Sequence, residues 1–95
     1  MPASFPLPSE LAADVVVYLT PWCPYCTMAR RLLDSRQIAY EHIDVSGNEA
    51  ARGWLRQASR QQTVPQIFVR GQSVGGFTEL SALDRSGALA RMLAK

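Results

Sequence analysis

The run Val15-Val16-Val17-Tyr18-Leu19 leads, after a short connection, into the tetrapeptide Cys23-Pro24-Tyr25-Cys26, and this junction restricts the fold more than any other stretch. A short, uninterrupted and mostly β-branched run reads as a buried strand. Pro24 suits the first position of a helix, because its missing N–H would have had no intrahelical partner and its φ is already helix-like. The segment therefore predicts strand, turn and helix, with Cys23 at the helix start and Cys26 one turn later on the same face. Two thiols at this spacing point to thiol redox chemistry. The free N–H groups and positive dipole end of the first turn favour a thiolate at Cys23. An ordinary cysteine, with a pKa of about 8.5, is only about 3% thiolate at neutral pH, so stabilising the anion enlarges the attacking population.

The rest of the chain supplies a frame for that junction. A helix is expected over Pro24 to Ser35, with Tyr25, Met28, Ala29, Leu32 and Leu33 as its apolar stripe. Alternation over residues 38–45 predicts a second strand. The turn cluster Ser46-Gly47-Asn48 precedes a second helical stripe of Ala50, Ala51, Trp54, Leu55 and Ala58, despite Gly53. Gln66-Ile67-Phe68-Val69 reads as a third strand, and Arg70-Gly71-Gln72 as a hairpin into Ser73-Val74-Gly75. Thr78 is placed as the cap of a last helix reaching towards Arg85, and Gly87 separates that helix from the tail carrying Leu89, Met92 and Leu93. The order β-α-β-α-β-β-α, with a right-handed crossover making the first two strands parallel, is the α/β thioredoxin-like arrangement: a four-stranded mixed sheet flanked by helices.

With 95 residues and 47% apolar composition the chain is expected to form one domain over residues 13–95, after an irregular, partly mobile leader over 1–12. Two cysteines do not make a secreted disulfide framework, and Met1-Pro2-Ala3-Ser4-Phe5-Pro6-Leu7-Pro8 lacks the charged and apolar regions of a signal peptide. The apolar run is too short to span a bilayer, so a cytoplasmic, reducing setting without membrane association is expected. The net charge of +2 is mild and no basic run or binding motif is present, which argues against nucleic acid. His42 is the single histidine, so a complete tetrahedral metal site within one chain is not expected. His42 reads as a surface or packed residue, Trp54 as core, and Trp22 either as a shield of the thiolate or as a packed residue at the rim of the site.

Three separated motifs, Cys23-Pro24-Tyr25-Cys26, Thr63-Val64-Pro65 and Gly75-Gly76-Phe77-Thr78-Glu79-Leu80, resemble in order those of the glutaredoxins. The resemblance spans about residues 14 to 93, and Ser81-Ala82-Leu83-Asp84 is similar to bacterial dithiol members of the glutaredoxin 3 type. It implies a cis bond before Pro65 that presents the Val64 backbone beside the thiols, where extended glutathione pairs as an added strand. It further implies close approach of ligand at Gly75-Gly76 and a γ-glutamyl carboxylate at Thr78. Arg52 aligns with a position that binds the glycine carboxylate in relatives. Tyr25, Gln61, Thr63, Val64, Pro65, Gly76, Phe77, Thr78 and Glu79 complete the implied glutathione site, with Cys23 and Cys26 catalytic. Three positions depart from the family pattern: Thr20 stands where many members carry lysine, Glu79 where aspartate is common, and Phe77 where some carry cysteine.

The resemblance implies a monomeric glutathione-dependent thiol-disulfide oxidoreductase with glutathione as co-substrate and no metal. Its partners would be glutathionylated or disulfide-bonded proteins, the former reduced through Cys23 alone and the latter through Cys23 and Cys26. Two alternatives belong to other classes. One is a glutathione-ligated iron-sulfur cluster held between two chains, which Pro24 argues against; the other is a thioredoxin-like reductant served by a flavoprotein reductase.

Overall fold

The computed structural model describes residues 5–94. Strand β1 (Val15–Leu19) lies inside a four-stranded sheet of order β2-β1-β3-β4, with β2 at Glu41–Asp44, β3 at Gln66–Val69 and β4 at Gln72–Gly75. The first two strands are parallel, and β3 runs antiparallel to both β1 and β4. Side chains alternate along β1, and both of its faces are covered. Val15, Val17 and Leu19 pack with Ala29 and Leu33 of helix α1 (Pro24–Ser35), Leu80 of helix α3 (Phe77–Ser86) and Leu89 of helix α4 (Ala88–Leu93). Val16 and Tyr18 pack on the other side with Ala51 and Leu55 of helix α2 (Glu49–Ser59) and Phe68 of β3. Burial on both faces is why this strand is apolar at every position rather than at alternate ones.

Local chemistry sets the element ends. Asn48 caps α2 by accepting the Ala51 N–H on its side chain at 3.0 Å. Arg70 and Gly71 both adopt positive φ, at 51° and 81°, the requirement of a tight two-residue hairpin turn between β3 and β4. Gly87, at φ 81°, ends α3 and starts α4, as the tail pattern implied.

Several expectations are corrected. Strand β2 is shorter than residues 38–45, because Gln37 turns with φ 57° and Ile38 gives its N–H back to the Leu33 carbonyl, so the chain joins the ladder only at Glu41. The buried stripe of α1 is Cys26, Ala29 and Leu33, leaving Tyr25 and Met28 exposed. Within the leader, Pro8–Glu10 form a 3-10 turn, the one regular element described before β1, and its Glu10 carboxylate accepts the Leu7 N–H at 2.7 Å. Phe5 is buried against Trp54 with ring centroids 5.7 Å apart, and the Tyr18 hydroxyl donates to the Pro6 carbonyl at 2.8 Å. Prolines break regular structure but do not stop an aromatic from docking into a groove that Trp54, Tyr18 and Phe68 provide. Residues 1–4 lie outside the described part.

These contacts give a graded expectation for chemical denaturation. Leu33→Ala, in the fully buried layer, should lose about 2–5 kcal/mol. Tyr18→Phe should lose only about 0.5–1.5 kcal/mol, with faster amide exchange over residues 5–12 as the specific sign that the leader tie is gone.

Candidate active site

The dithiol is built by the way α1 starts. Cys23 is extended, at φ −104° and ψ 112°, and its carbonyl accepts the first helical bond from the Thr27 N–H at 3.1 Å. Its sulfur accepts the Cys26 N–H at 3.1 Å. A sulfur here fills the acceptor role that a serine or aspartate oxygen has at other helix starts. Pro24 occupies the first helical position, where a missing donor does no harm. The Cys23 thiol also donates to the Val64 carbonyl at 3.5 Å, which ties the helix tip to the loop before β3.

The two sulfurs stand in different surroundings. Cys23 is partly exposed, whereas Cys26 is 2% exposed and packs in the core beside Ala29 and Leu33. Burial, and then the bond with Cys23, push the Cys26 thiol up to about 12, so it is protonated at neutral pH.

An open cleft of about 450 Å³ lies beside the dithiol segment. Neither cysteine lines it, and its nearest ties to Cys23 are Tyr25 and the Val64 carbonyl that accepts from the Cys23 thiol. Tyr25 of α1 lines it, with Gln61, Thr63, Val64 and Pro65 from the loop after α2, and Gly76, Phe77, Thr78 and Glu79 from the start of α3. The Val64-Pro65 bond is cis. Tyr25 and Phe77 stand 6.3 Å apart between ring centroids, bridging α1 and α3. The cap of α3 is Gly76, not Thr78, which sits one residue inside the helix. Glycine has no side chain to cap with, so the Glu79 carboxylate reaches back to accept the Gly76 N–H at 2.8 Å. Gly75 adopts φ +103°, and a Cβ there would stand 2.5 Å from Glu79 Oε1. A Cβ on Gly76 would come within 3.3 Å of the Pro65 carbonyl, so the two loops meet at close range.

Nine of the residues expected around a ligand thus line one cleft. Gly75 and Arg52 do not: Gly75 lies just behind Gly76, and Arg52 lies on α2 outside the lining, with its guanidinium donating to the Gln62 carbonyl at 3.5 Å. Trp22 is 88% exposed, so it is not a packed residue of the rim. His42 is exposed on β2 and does not line the cleft. Gln66, which belongs to none of the three motifs, is wholly buried at the start of β3 and donates to Thr63 and Gln61. The available signal was a polar residue opening an otherwise apolar strand, directly after Pro65.

A dithiol at the tip of the first helix, facing a cis-proline loop across a sheet of this topology, defines the thioredoxin-like class. Residues 15–74 match the glutaredoxin family model. Glutaredoxin 3 of Escherichia coli K12 is 40% identical over 81 residues, covering 85% of this chain and 98% of that protein. A glutaredoxin of Neisseria meningitidis serogroup A is 42% identical over 80 residues, covering 83% of this chain and 94% of the relative. Among solved structures, the dithiolic glutaredoxin 2-C-Grx1 of Trypanosoma brucei brucei superposes with a TM-score of 0.81 at 34% identity, covering 96% of this chain and 99% of that one. The buckwheat glutaredoxin-glutathione complex gives 0.81 at 29% identity, covering 86% and 77%. The chain belongs to the glutaredoxin family and is a glutathione-dependent disulfide oxidoreductase.

The unequal thiols set an expectation for labelling of the reduced protein. Iodoacetamide at about pH 7.5 should modify Cys23 and spare Cys26, because the thiolate is the reacting species. Peptide mapping by mass spectrometry reads the outcome, and equal labelling of both sulfurs would contradict the geometry.

Proposed function

We propose that the chain reduces protein-glutathione mixed disulfides through Cys23 alone and protein disulfides through Cys23 with Cys26. The observation that carries this reading is the position of the Cys23 sulfur, 3.5 Å from the carbonyl of cleft-lining Val64, which joins the nucleophile to the cleft. In the first route the Cys23 thiolate attacks the glutathione sulfur of the mixed disulfide. The substrate thiolate leaves and takes up a proton, and the Cys23-glutathione disulfide remains. A second glutathione thiolate then attacks the glutathione sulfur of that disulfide, which frees Cys23 and releases oxidised glutathione. In the second route Cys23 attacks one sulfur of a protein disulfide, and the other substrate sulfur leaves as a thiolate and takes up a proton. Cys26, after losing its proton, then attacks the Cys23 sulfur of the mixed disulfide so formed. That step releases the substrate cysteine that was bonded to Cys23, and the enzyme ends as an intramolecular disulfide that two glutathiones reduce, leaving as oxidised glutathione.

The cleft residues take the ligand in this reading. Val64 offers backbone for strand-like pairing, and Tyr25, Gln61, Thr63, Pro65, Gly76 and Phe77 form the walls. Thr78 and Glu79 meet the γ-glutamyl end, where the first turn of α3 has N–H groups without intrahelical partners. Arg52 supplies a cation at the margin for the glycine carboxylate, in place of the lysine absent at Thr20. A reducing, cytoplasmic setting suits this cycle, since it keeps glutathione in the thiol form.

A glutathione-coupled assay separates the two routes. Cys23→Ser should abolish both. Cys26→Ser should keep reduction of glutathionylated peptides and lose reduction of protein disulfides, and inactivity of this variant on glutathionylated peptides would sink the assignment. Arg52→Ala should raise the KM for a glutathionylated peptide roughly two- to fivefold with little change in kcat, the scale of one exposed ionic contact.

A further inference from the structure

Gln66 is the one polar or charged side chain that is buried among the described residues, and it is wholly enclosed. It pairs in register with Tyr18 on β1, so its side chain shares the apolar face that carries Tyr18 and Phe68 and packs against α2. An amide in that layer is unfavourable unless it is bonded. Both protons of its nitrogen are used: Nε2 donates to the Thr63 carbonyl at 2.8 Å and to Gln61 Oε1 at 2.9 Å. Both acceptors belong to residues that line the cleft. Its own Oε1 has no partner among the described residues. An apolar side chain of similar size would leave no such orphan, so stability alone does not account for glutamine here.

What the amide supplies is direction. The Thr63-Val64 peptide is trans and planar, so a Thr63 carbonyl held towards Gln66 turns the Val64 N–H the opposite way. The second bond orients the Gln61 side chain, whose Nε2 stands 3.5 Å from Glu79 Oε1, the same oxygen that accepts the Gly76 N–H at 2.8 Å. A line of polar contacts therefore runs from the buried start of β3, through one cleft wall, to the N-terminus of α3.

We propose that Gln66 is a positioning residue for the cleft: without touching ligand, it sets the Thr63-Val64 peptide plane and the Gln61 amide, and so governs affinity for the glutathionyl group rather than the reactivity of Cys23. The inference rests on the function proposed above, because it assumes that the glutathionyl group occupies this cleft.

The test is steady-state kinetics on a glutathionylated peptide, alongside the rate of Cys23 alkylation by iodoacetamide and the thermal midpoint. Gln66→Met and Gln66→Leu keep the volume and remove the donors. Loss of one or two directed hydrogen bonds should raise KM roughly three- to tenfold. The alkylation rate should stay at the wild-type value. Gln61→Ala combined with Gln66→Met should raise KM by less than the product of the single effects, since both cut one relay. An unchanged KM in the folded variants overturns the proposal. So does a fully multiplicative double variant, or a parallel fall of KM performance, alkylation rate and thermal midpoint, which marks a merely structural residue. A wild-type chain inactive on the glutathionylated peptide overturns the functional reading itself, and that outcome is visible before any substitution is made.

Discussion

The burial of β1 on both faces is the constraint on which the rest of the structure depends. Val15, Val17 and Leu19 anchor the layer of α1, α3 and α4, while Val16 and Tyr18 anchor the layer of α2 and the docked leader. A strand held this way cannot shift register by one residue without exchanging the two side-chain sets between layers. Its end at Leu19 is thereby fixed, and with it the place where α1 begins. Cys23 becomes the helix cap because the strand behind it leaves only a short turn before Pro24 starts the helix.

From that placement follows the inequality of the thiols. The cap position gives Cys23 a backbone donor and partial exposure, and the third helical position turns Cys26 into the core. One turn of helix separates a sulfur at the cleft from a sulfur among Ala29, Leu33 and Val17. Burial raises the second thiol, so it is a protonated group at neutral pH. The same short segment therefore carries two thiols of different character, divided by solvent access rather than by residue type.

Much of this was legible in the chain itself. Helix α1 begins and ends where its pattern placed it, the hairpin at Arg70-Gly71 follows from a residue pair suited to positive φ, and three motifs far apart in sequence converge on one cleft. Tyr25 and Met28 belong to the apolar stripe of α1 yet stay exposed, because helical periodicity alone does not say which arc of a helix meets the sheet; packing chose the arc of Cys26, Ala29 and Leu33. Thr78 suits a cap by residue type, whereas the observed cap works through Glu79 reaching back to the Gly76 backbone. Nothing local marks Phe5 for burial, because Trp54, on whose ring it packs, and the cluster it joins with Tyr18 and Phe68 lie far along the chain.

The sequence by itself determined the class of structure and the chemistry available. Strand-forming residues before Cys-Pro-Tyr-Cys, turn residues at the hairpin and glycine at the end of α3 act locally, through backbone preferences that need no distant partner. Only the tertiary structure decided which sulfur meets solvent, that Arg52 stands outside the cleft lining, and that Gln66 reaches Thr63 and Gln61 from the interior. Those outcomes depend on which faces of separate elements are pressed together. Burial and hydrogen-bond partners are properties of that packing, and no window of the chain contains them.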